Sequence, residues 1–462
     1  MSRHPMPAAD AAWLHMDRPA NPMVVNGLVL LGEAPDFDSL PGILEERLVA
    51  RFPRFRQRVV DPLGRRPAFE DDPAFDLAAH LHRQALPPPG DAAALWAAVS
   101  DLVGPTLDRD RPLWQAHLIE GYEGSAAAIL WRMHHCIADG IALARVMLSI
   151  SDDAEGEIEP AAPGAAPGLL GRLAAAPLGA AAAARRLSGM AVHEATQSLV
   201  HPRHLRELAG TALRDTATTA KLLAAPADAP SDLRGPLSGR RRVAWAEPVP
   251  LELVRKAARR RRVTINDLLV TALAGALHEL FEEAGAVRAG GRPEEVRAMV
   301  PFNLRPLDEP VPSDLGNEFA LILLELPVGE LRAAERLREV SSRMGAIKRS
   351  HEATISYGIL SAIGLTPPCV EDRLIGFFSD KASLVVTNVP GPRRRVHFAG
   401  VPVTGVMVWA PCSGSLGMTV SIFSYDGEVT VGFMADTALV PDPEPLARAY
   451  GSELRRLVEP VG

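Results

Sequence analysis

Half of the residues in the stretch 161–184 are alanine, and Pro163, Pro167 and Pro177 interrupt them. Alanine favours helix but buries little area per residue, so a stretch of this kind carries no large core of its own. It divides the 462-residue chain into two longer parts that must each supply one. Before it, strand-like runs at 24–31 and 126–133 mix with helical patterns at 37–51 and 91–103. After it, from about residue 239, come helical patterns at 251–260 and 266–281, strands at 296–301 and 321–326, and a strand-rich tail. The pattern predicts an α/β fold of two layered halves, 1–150 and 239–462, joined by an alanine-rich helical linker at 151–238. No short-period repeat is present, and a site is expected where the halves meet.

Composition narrows the function. Lys and Arg number 49 against 56 Asp and Glu, a net charge of -7, which gives no basic field to recommend nucleic acid as a partner. Three scattered cysteines, Cys136, Cys369 and Cys412, suit a reducing compartment better than a disulfide framework or a metal knuckle. The first residues lack the apolar run of a secretory signal, so a cytoplasmic location is expected. The stretch 396–425 is free of Asp, Glu, Lys and Arg, yet Gly400, Pro402, Gly405, Pro411, Gly414 and Gly417 punctuate it at turn spacing. It reads as buried sheet and not as a membrane span.

The chemistry concentrates in 125–148, where a buried strand runs into His134-His135-Cys136-Ile137-Ala138-Asp139-Gly140 and then an apolar-periodic helix. Side chains alternate across a strand, so extended geometry would send the two imidazoles to opposite faces and leave one base in a given channel. A neutral imidazole takes a proton from a hydroxyl or thiol near neutral pH. Asp139, just before the helix, also reads as an N-cap. Thr264, Asn266 and Asp267 precede another apolar helix in a pattern close to a capping box, and Asn266 there can face developing negative charge. Cys136 shows no sign of the lowered pKa a nucleophile needs. There is no GxSxG elbow, and His and Cys spacing gives no metal site. Basic clusters at Arg240 to Arg242, at Arg255, Lys256 and Arg259 to Arg262, and at Arg393 to Arg395 read as solvated surface that can attract phosphate groups.

The string from His134 to Gly140 matches HHxxxDG, the signature of the CoA-dependent acyltransferases that include chloramphenicol acetyltransferase and peptide-synthetase condensation domains. Further strings resemble the bacterial wax ester synthase/diacylglycerol acyltransferases: Pro112-Leu113-Trp114 is similar to their PLW element, Asn266-Asp267 to ND, the segment from Val300 to Arg305 to VPVNLR, and that from Thr387 to Pro392 to TNVPGP. The resemblance runs from near residue 10 to near residue 450, and departs from the family at SDLRGPLS, 231–238.

The resemblance implies two chloramphenicol-acetyltransferase-like α/β domains and an acyltransferase that moves a long-chain acyl group from acyl-CoA to a fatty alcohol or a diacylglycerol. It implies acyl-CoA as co-substrate and no other cofactor. It assigns His135 as general base, with His134 shaping the site and Asp139 bridged to Arg305 to hold the loop. Asn266, Thr387 and Asn388 compete for the oxyanion, and Pro112, Leu113 and Trp114, which carry no acid, base or nucleophile, are expected to pack beside the substrate channel or the catalytic strand. Substrates of this class imply a membrane or lipid-body surface; the charge-free segment 354–370 is the candidate contact, although it reads at least as well as a buried helix of the second half. Two rival readings keep the fold: an acyltransferase drawing on carrier proteins or another alcohol, and a catalytically silent lipid-body scaffold.

Overall fold

The computed structural model describes residues 3–62, 66–153, 224–283, 293–303, 315–317, 319–348, 356 and 368–459. The first half opens with a short strand (Arg3–Pro5, β1) and a helix (Ala8–Met16, α1), followed by strand β2 at Val24–Leu31. The apolar pattern at 37–51 is helical as far as residue 49 but irregular, with a 3-10 turn at Phe37–Ser39, an α-helical stretch at Leu40–Leu44 (α2) and a π-helical turn at Glu45–Val49. Short strands β3 (Gln57–Val60) and β4 (Ala68–Asp71) pair with each other, and β4 pairs with β1 on its other edge. Then come β5 (Leu81–Ala85), α3 (Ala92–Val103), β6 (Trp114–Tyr122), β7 (Ala126–His134) and α4 (Gly140–Ser149). Asp91 caps α3 by accepting the Ala94 N-H at 2.9 Å, which fixes where that helix starts.

The second half contains β8 (Arg241–Trp245), β9 (Val249–Pro250), α5 (Leu251–Arg261), α6 (Ile265–Glu283), β10 (Glu295–Asn303), β11 (Phe319–Pro327), α7 (Ala333–Lys348) and α8 (Pro368–Ser379). Strands β12 (Leu384–Pro390), β13 (His397–Phe398), β14 (Val401–Trp409), β15 (Met418–Tyr425) and β16 (Glu428–Asp436) follow, with α9 (Glu444–Val458) last. Among the described residues the main sheet of this half runs β11-β10-β12-β15-β16-β8, with β9 on β16. Helix α6 packs against α9 and α7 and touches β11, buried along almost its whole length. The pair α5 and α6 has the length and composition of a broken span but bends by 99°, and the burial of α6 makes it a core helix.

The first sheet runs β13-β14-β2-β7-β6-β5, so two strands from the second half complete it. Strand β14 lies antiparallel to β2, with Trp409 opposite Asn26, and β2 lies antiparallel to β7, with Val24 opposite His134. The charge-free stretch at 396–425 is therefore buried sheet, as expected, but it serves both halves: β14 joins the first sheet and β15 the second. Where the sheets approach each other, a Cβ on Gly432 would sit 2.7 Å from Nε1 of Trp409, and only glycine permits that contact. The first core also takes in Leu315, Phe319, Val389, Phe423 and Tyr425 from the second half. Crossed strands and a shared core hold the halves against each other. Of the linker at 151–238, residues 154–223 lie outside the described residues.

Candidate active site

Strand β7 stops at His134, and α4 starts at Gly140. The turn between them is pinned by its backbone: the His134 N-H donates to Leu113 O at 2.9 Å, and the His135 N-H to Met23 O at 2.8 Å. Asp139 is the N-cap of α4, its Oδ1 accepting the Ala142 N-H at 2.8 Å. Pro112, Leu113 and Trp114 are all buried, and the Trp114 indole donates to Phe55 O at 2.8 Å. This element packs beside β7 and holds its end through the Leu113 carbonyl. A Cβ placed on Gly140 would meet nothing within 4 Å, so there is open space beside the start of α4.

Because the strand ends at His134, the alternation of faces does not carry on to His135. The rings nevertheless occupy separate surroundings. His135 stacks on Trp13 of α1, centroids 4.2 Å apart, and Phe319 of β11 closes in at 5.5 Å. Burial lowers its pKa to about 4, against the opposing pull of its own carbonyl and of the Asn317 amide, with His134 adding to the lowering. Its Nδ1 is sealed from solvent and has no hydrogen-bond partner among the described residues.

The His134 ring is anchored at Nδ1 and has a carboxylate near its other nitrogen. Its Nδ1 accepts the Cys136 N-H at 3.1 Å, which places its proton on Nε2, 3.8 Å from Oδ1 of Asp17. Burial pushes the Asp17 carboxyl up, but His134, the Met23 N-H and Arg109 outweigh it and hold the group at about 2. This geometry suits a group that shapes the site. Burial pushes the Cys136 thiol far up, so it stays protonated and is no nucleophile.

The turn rests on a polar cluster whose members the sequence reading missed. Arg54 is 2.8 Å from Asp10, and its Nη1 also donates to the carbonyls of Cys136 (3.1 Å) and Ile137 (2.7 Å). Oδ1 of Asp10 accepts the backbone N-H of Asn317 at 3.0 Å and its side-chain NH2 at 2.8 Å. That same NH2 donates to the His135 carbonyl at 2.8 Å. Asp10 is 0% exposed; burial pushes its carboxyl up, and Arg54 and Asn317 oppose this. Gly316, at φ +111, lets its backbone pass beside Asp10 and bridge Ala138. Arg305, the partner expected for Asp139, lies outside the described residues.

Asn266 and Asn388 are brought together, the Asn388 amide donating to Oδ1 of Asn266 at 2.6 Å. The Thr387 hydroxyl donates to Oγ of Ser421 at 3.1 Å. Among the described residues no hydrogen bond joins these three to His135, although Val389, one residue on, packs in the same core as Trp13 and Phe319. Asp267 forms a reciprocal capping box with Thr264, at 2.8 and 3.2 Å, and accepts the Ser341 hydroxyl. One of the expected surface arginines is not surface at all: Arg241 is buried, donating to Oδ1 of Asn21 (2.6 Å) and to Gly417 O (3.2 Å). It ties the halves together, because β8 runs along the junction and a buried guanidinium needs such acceptors.

Two α/β halves, the second lending strands to the sheet of the first beside a His-His turn, define the two-domain acyltransferase fold. A wax ester synthase/diacylglycerol acyltransferase from Marinobacter aquaeolei VT8 shares it with a TM-score of 0.67, at 23% identity over 98% of each chain. The first condensation domain of the calcium-dependent antibiotic synthetase shares it at 0.58, with 17% identity over 99% of this chain and 96% of that one. In sequence, residues 6–269 match the wax ester synthase/diacylglycerol acyltransferase catalytic domain, and residues 315–458 match the C-terminal domain of the same family. The probable diacylglycerol O-acyltransferase tgs1 of Mycobacterium tuberculosis (strain CDC 1551 / Oshkosh) is 31% identical over 439 residues, 93% of this chain and 90% of the relative. The chain belongs to the wax ester synthase/diacylglycerol acyltransferase family and is an acyl-CoA-dependent O-acyltransferase.

Proposed function

We propose that the enzyme esterifies the hydroxyl of a diacylglycerol or a long-chain fatty alcohol with a long-chain acyl group from acyl-CoA, and that Nε2 of His135 is the base. The observation that carries this reading is the His135 ring itself, neutral, stacked on Trp13 and closed to solvent at Nδ1. The alcohol gives its proton to Nε2 as its oxygen attacks the thioester carbonyl carbon. The carbon-sulfur bond of the tetrahedral adduct then breaks, and the imidazolium returns the proton to the thiolate, leaving ester and CoA thiol. An imidazolium of low pKa is a strong proton donor to a thiolate, whose own pKa is about 8.5, so no acyl-enzyme is required. The Asn266 and Asn388 amides and Thr387 are candidates to face the oxyanion, and a bridge from Asp139 to Arg305 belongs to the same proposal.

The reading extends to a peripheral contact with a membrane or lipid body, since both acceptors and the acyl chain are apolar. No single helix among the described residues is long and apolar enough to cross a membrane. The charge-free segment 354–370 leads into α8, which packs against α1, the helix bearing Trp13, and exposes Phe377. That arrangement supports lipid entry near His135.

The test supplies purified enzyme with a long-chain acyl-CoA and either acceptor, and follows thiol release and lipid products together. Thiol matched by triacylglycerol or wax ester supports the reading. Thiol matched only by free fatty acid, or ester formed only with an unrelated acceptor, contradicts it.

A further inference from the structure

Six of the eight residues from Arg255 to Arg262 are cationic and none is acidic, in a chain whose net charge is -7. They form the second half of α5 and its cap. Arg255 pairs with Glu252 at 2.6 Å, and Arg260 donates to the Val458 carbonyl at 2.7 Å. Lys256, Arg259 and Arg262 are exposed, and no acidic side chain among the described residues is within ion-pair distance of them. Like charges three residues apart oppose helix formation, so this row costs stability unless an anion offsets it. The other two basic clusters are already engaged: Arg241 is buried on Asn21 and Gly417, and Arg395 pairs with Asp426 at 2.8 Å.

Arg262 stands where a helix commonly ends in glycine. Its φ of +55 is left-handed, and its N-H closes α5 on the Arg259 carbonyl at 3.2 Å. The chain keeps a guanidinium where glycine would be less strained. Beyond this cap the chain bends by 99° into α6. Asn266, in the first turn of α6, is four residues on, so its Cα lies within about 14 Å of that of Arg262. Asn266 meets Asn388 of β12 at 2.6 Å, and Val389, next along β12, packs in one core with the Trp13 and Phe319 rings that flank His135.

We infer that Lys256, Arg259 and Arg262 bind the phosphate groups of the acyl-CoA donor, whose thioester reaches the active site on the uncharged pantetheine arm. Guanidinium groups suit phosphate because they offer it two parallel N-H donors. The inference rests on acyl-CoA as the donor and gives these residues a part in binding, not in the chemistry.

The test is calorimetry of an acyl-CoA, kept below its micelle concentration and without acceptor, on wild type, Arg259→Gln and Arg262→Gly, repeated with the same acyl chain on pantetheine, which has no phosphate. Each substitution should weaken acyl-CoA binding by about 10- to 100-fold and leave acyl-pantetheine binding as in wild type. Arg262→Gly also relieves the left-handed strain, so it should melt no lower than wild type, which separates loss of binding from loss of fold. Unaltered acyl-CoA affinity in both folded variants overturns the inference, as does an equal loss for the two ligands. Vesicles of phosphatidylcholine with and without phosphatidylglycerol test the other source of phosphate: variants that lose vesicle binding but keep acyl-CoA affinity assign the patch to a lipid surface and overturn the inference. Because no acceptor is present, a failure of ester formation leaves these measurements standing and shows separately.

Discussion

The Trp13 indole lies flat against the His135 imidazole, ring centroids 4.2 Å apart and planes within 18°. Trp13 is itself buried, so it denies water to one face of the imidazole, and exclusion of water is what lowers the His135 pKa. Trp13→Ala should admit solvent, raise the His135 pKa towards its ordinary value of about 6.5, and destabilise the fold by about 3–5 kcal/mol. Trp13→Phe should restore most of both. Melting temperature and the acid limb of kcat/KM read the two effects separately; an unmoved acid limb in the alanine variant would show that the stacking does not set the pKa.

The pH dependence follows from the same burial. With His135 at about 4, kcat/KM should stay level from neutral pH down to about 5 and fall only below that, whereas an unperturbed imidazole would lose activity near 6.5. Stability follows the same sign. His135 and His117, the latter lowered to about 3 by burial and by its neighbours His82 and Arg132, bind protons more readily unfolded than folded. Their contribution is present in full above about 6.5 and is lost as pH falls through 4 and then 3. Denaturant unfolding at pH 7 and pH 5 should show the lower stability at pH 5, and equal values would contradict the assignment.

Asp10 and Arg54 form an ion pair shielded from water, and Asp10 has no solvent to fall back on. Removing one member leaves a buried charge without its partner, so Asp10→Leu and Arg54→Met should each cost about 3–5 kcal/mol. The double variant should lose less than the sum of the two. Strict additivity in urea unfolding would show that the residues do not act as a pair.

Asp139 caps α4, and its replacement by alanine should cost about 1 kcal/mol through the cap alone. Asp139→Asn keeps the cap and removes the charge. If the proposed bridge to Arg305 exists, Asp139→Asn and Arg305→Met each lower the melting temperature and the double variant adds little to either. Full stability of Asp139→Asn would leave the cap as the whole role of this residue.

The local grammar of the chain carried much of the fold. Strand β15 falls on the apolar run at 418–425, β2 on that at 24–31, and the pattern Thr264 to Asp267 forms the capping box it suggests. What pattern could not show is which sheet a strand joins. Strand β14 has the β-branched content of any buried strand, and only the crossing of chains over the junction places it beside β2. The histidines and Asp139 were legible because they lie within one short string. Asp10, Arg54 and Asn317 were not, because their contacts span 44 and 307 positions and no spacing signals them. Arg241 was misread for a related reason: its neighbours Arg240 and Arg242 are exposed, and strand alternation alone turns it inward.

The central claim is that His135 is the base. It is tested most directly by measuring ester formation and CoA release for wild type and His135→Ala side by side, with melting curves and acyl-CoA binding recorded on both. The account predicts that His135→Ala binds acyl-CoA, melts close to wild type and forms ester at least about 100-fold more slowly. A folded His135→Ala enzyme that retains most of the wild-type rate would contradict it.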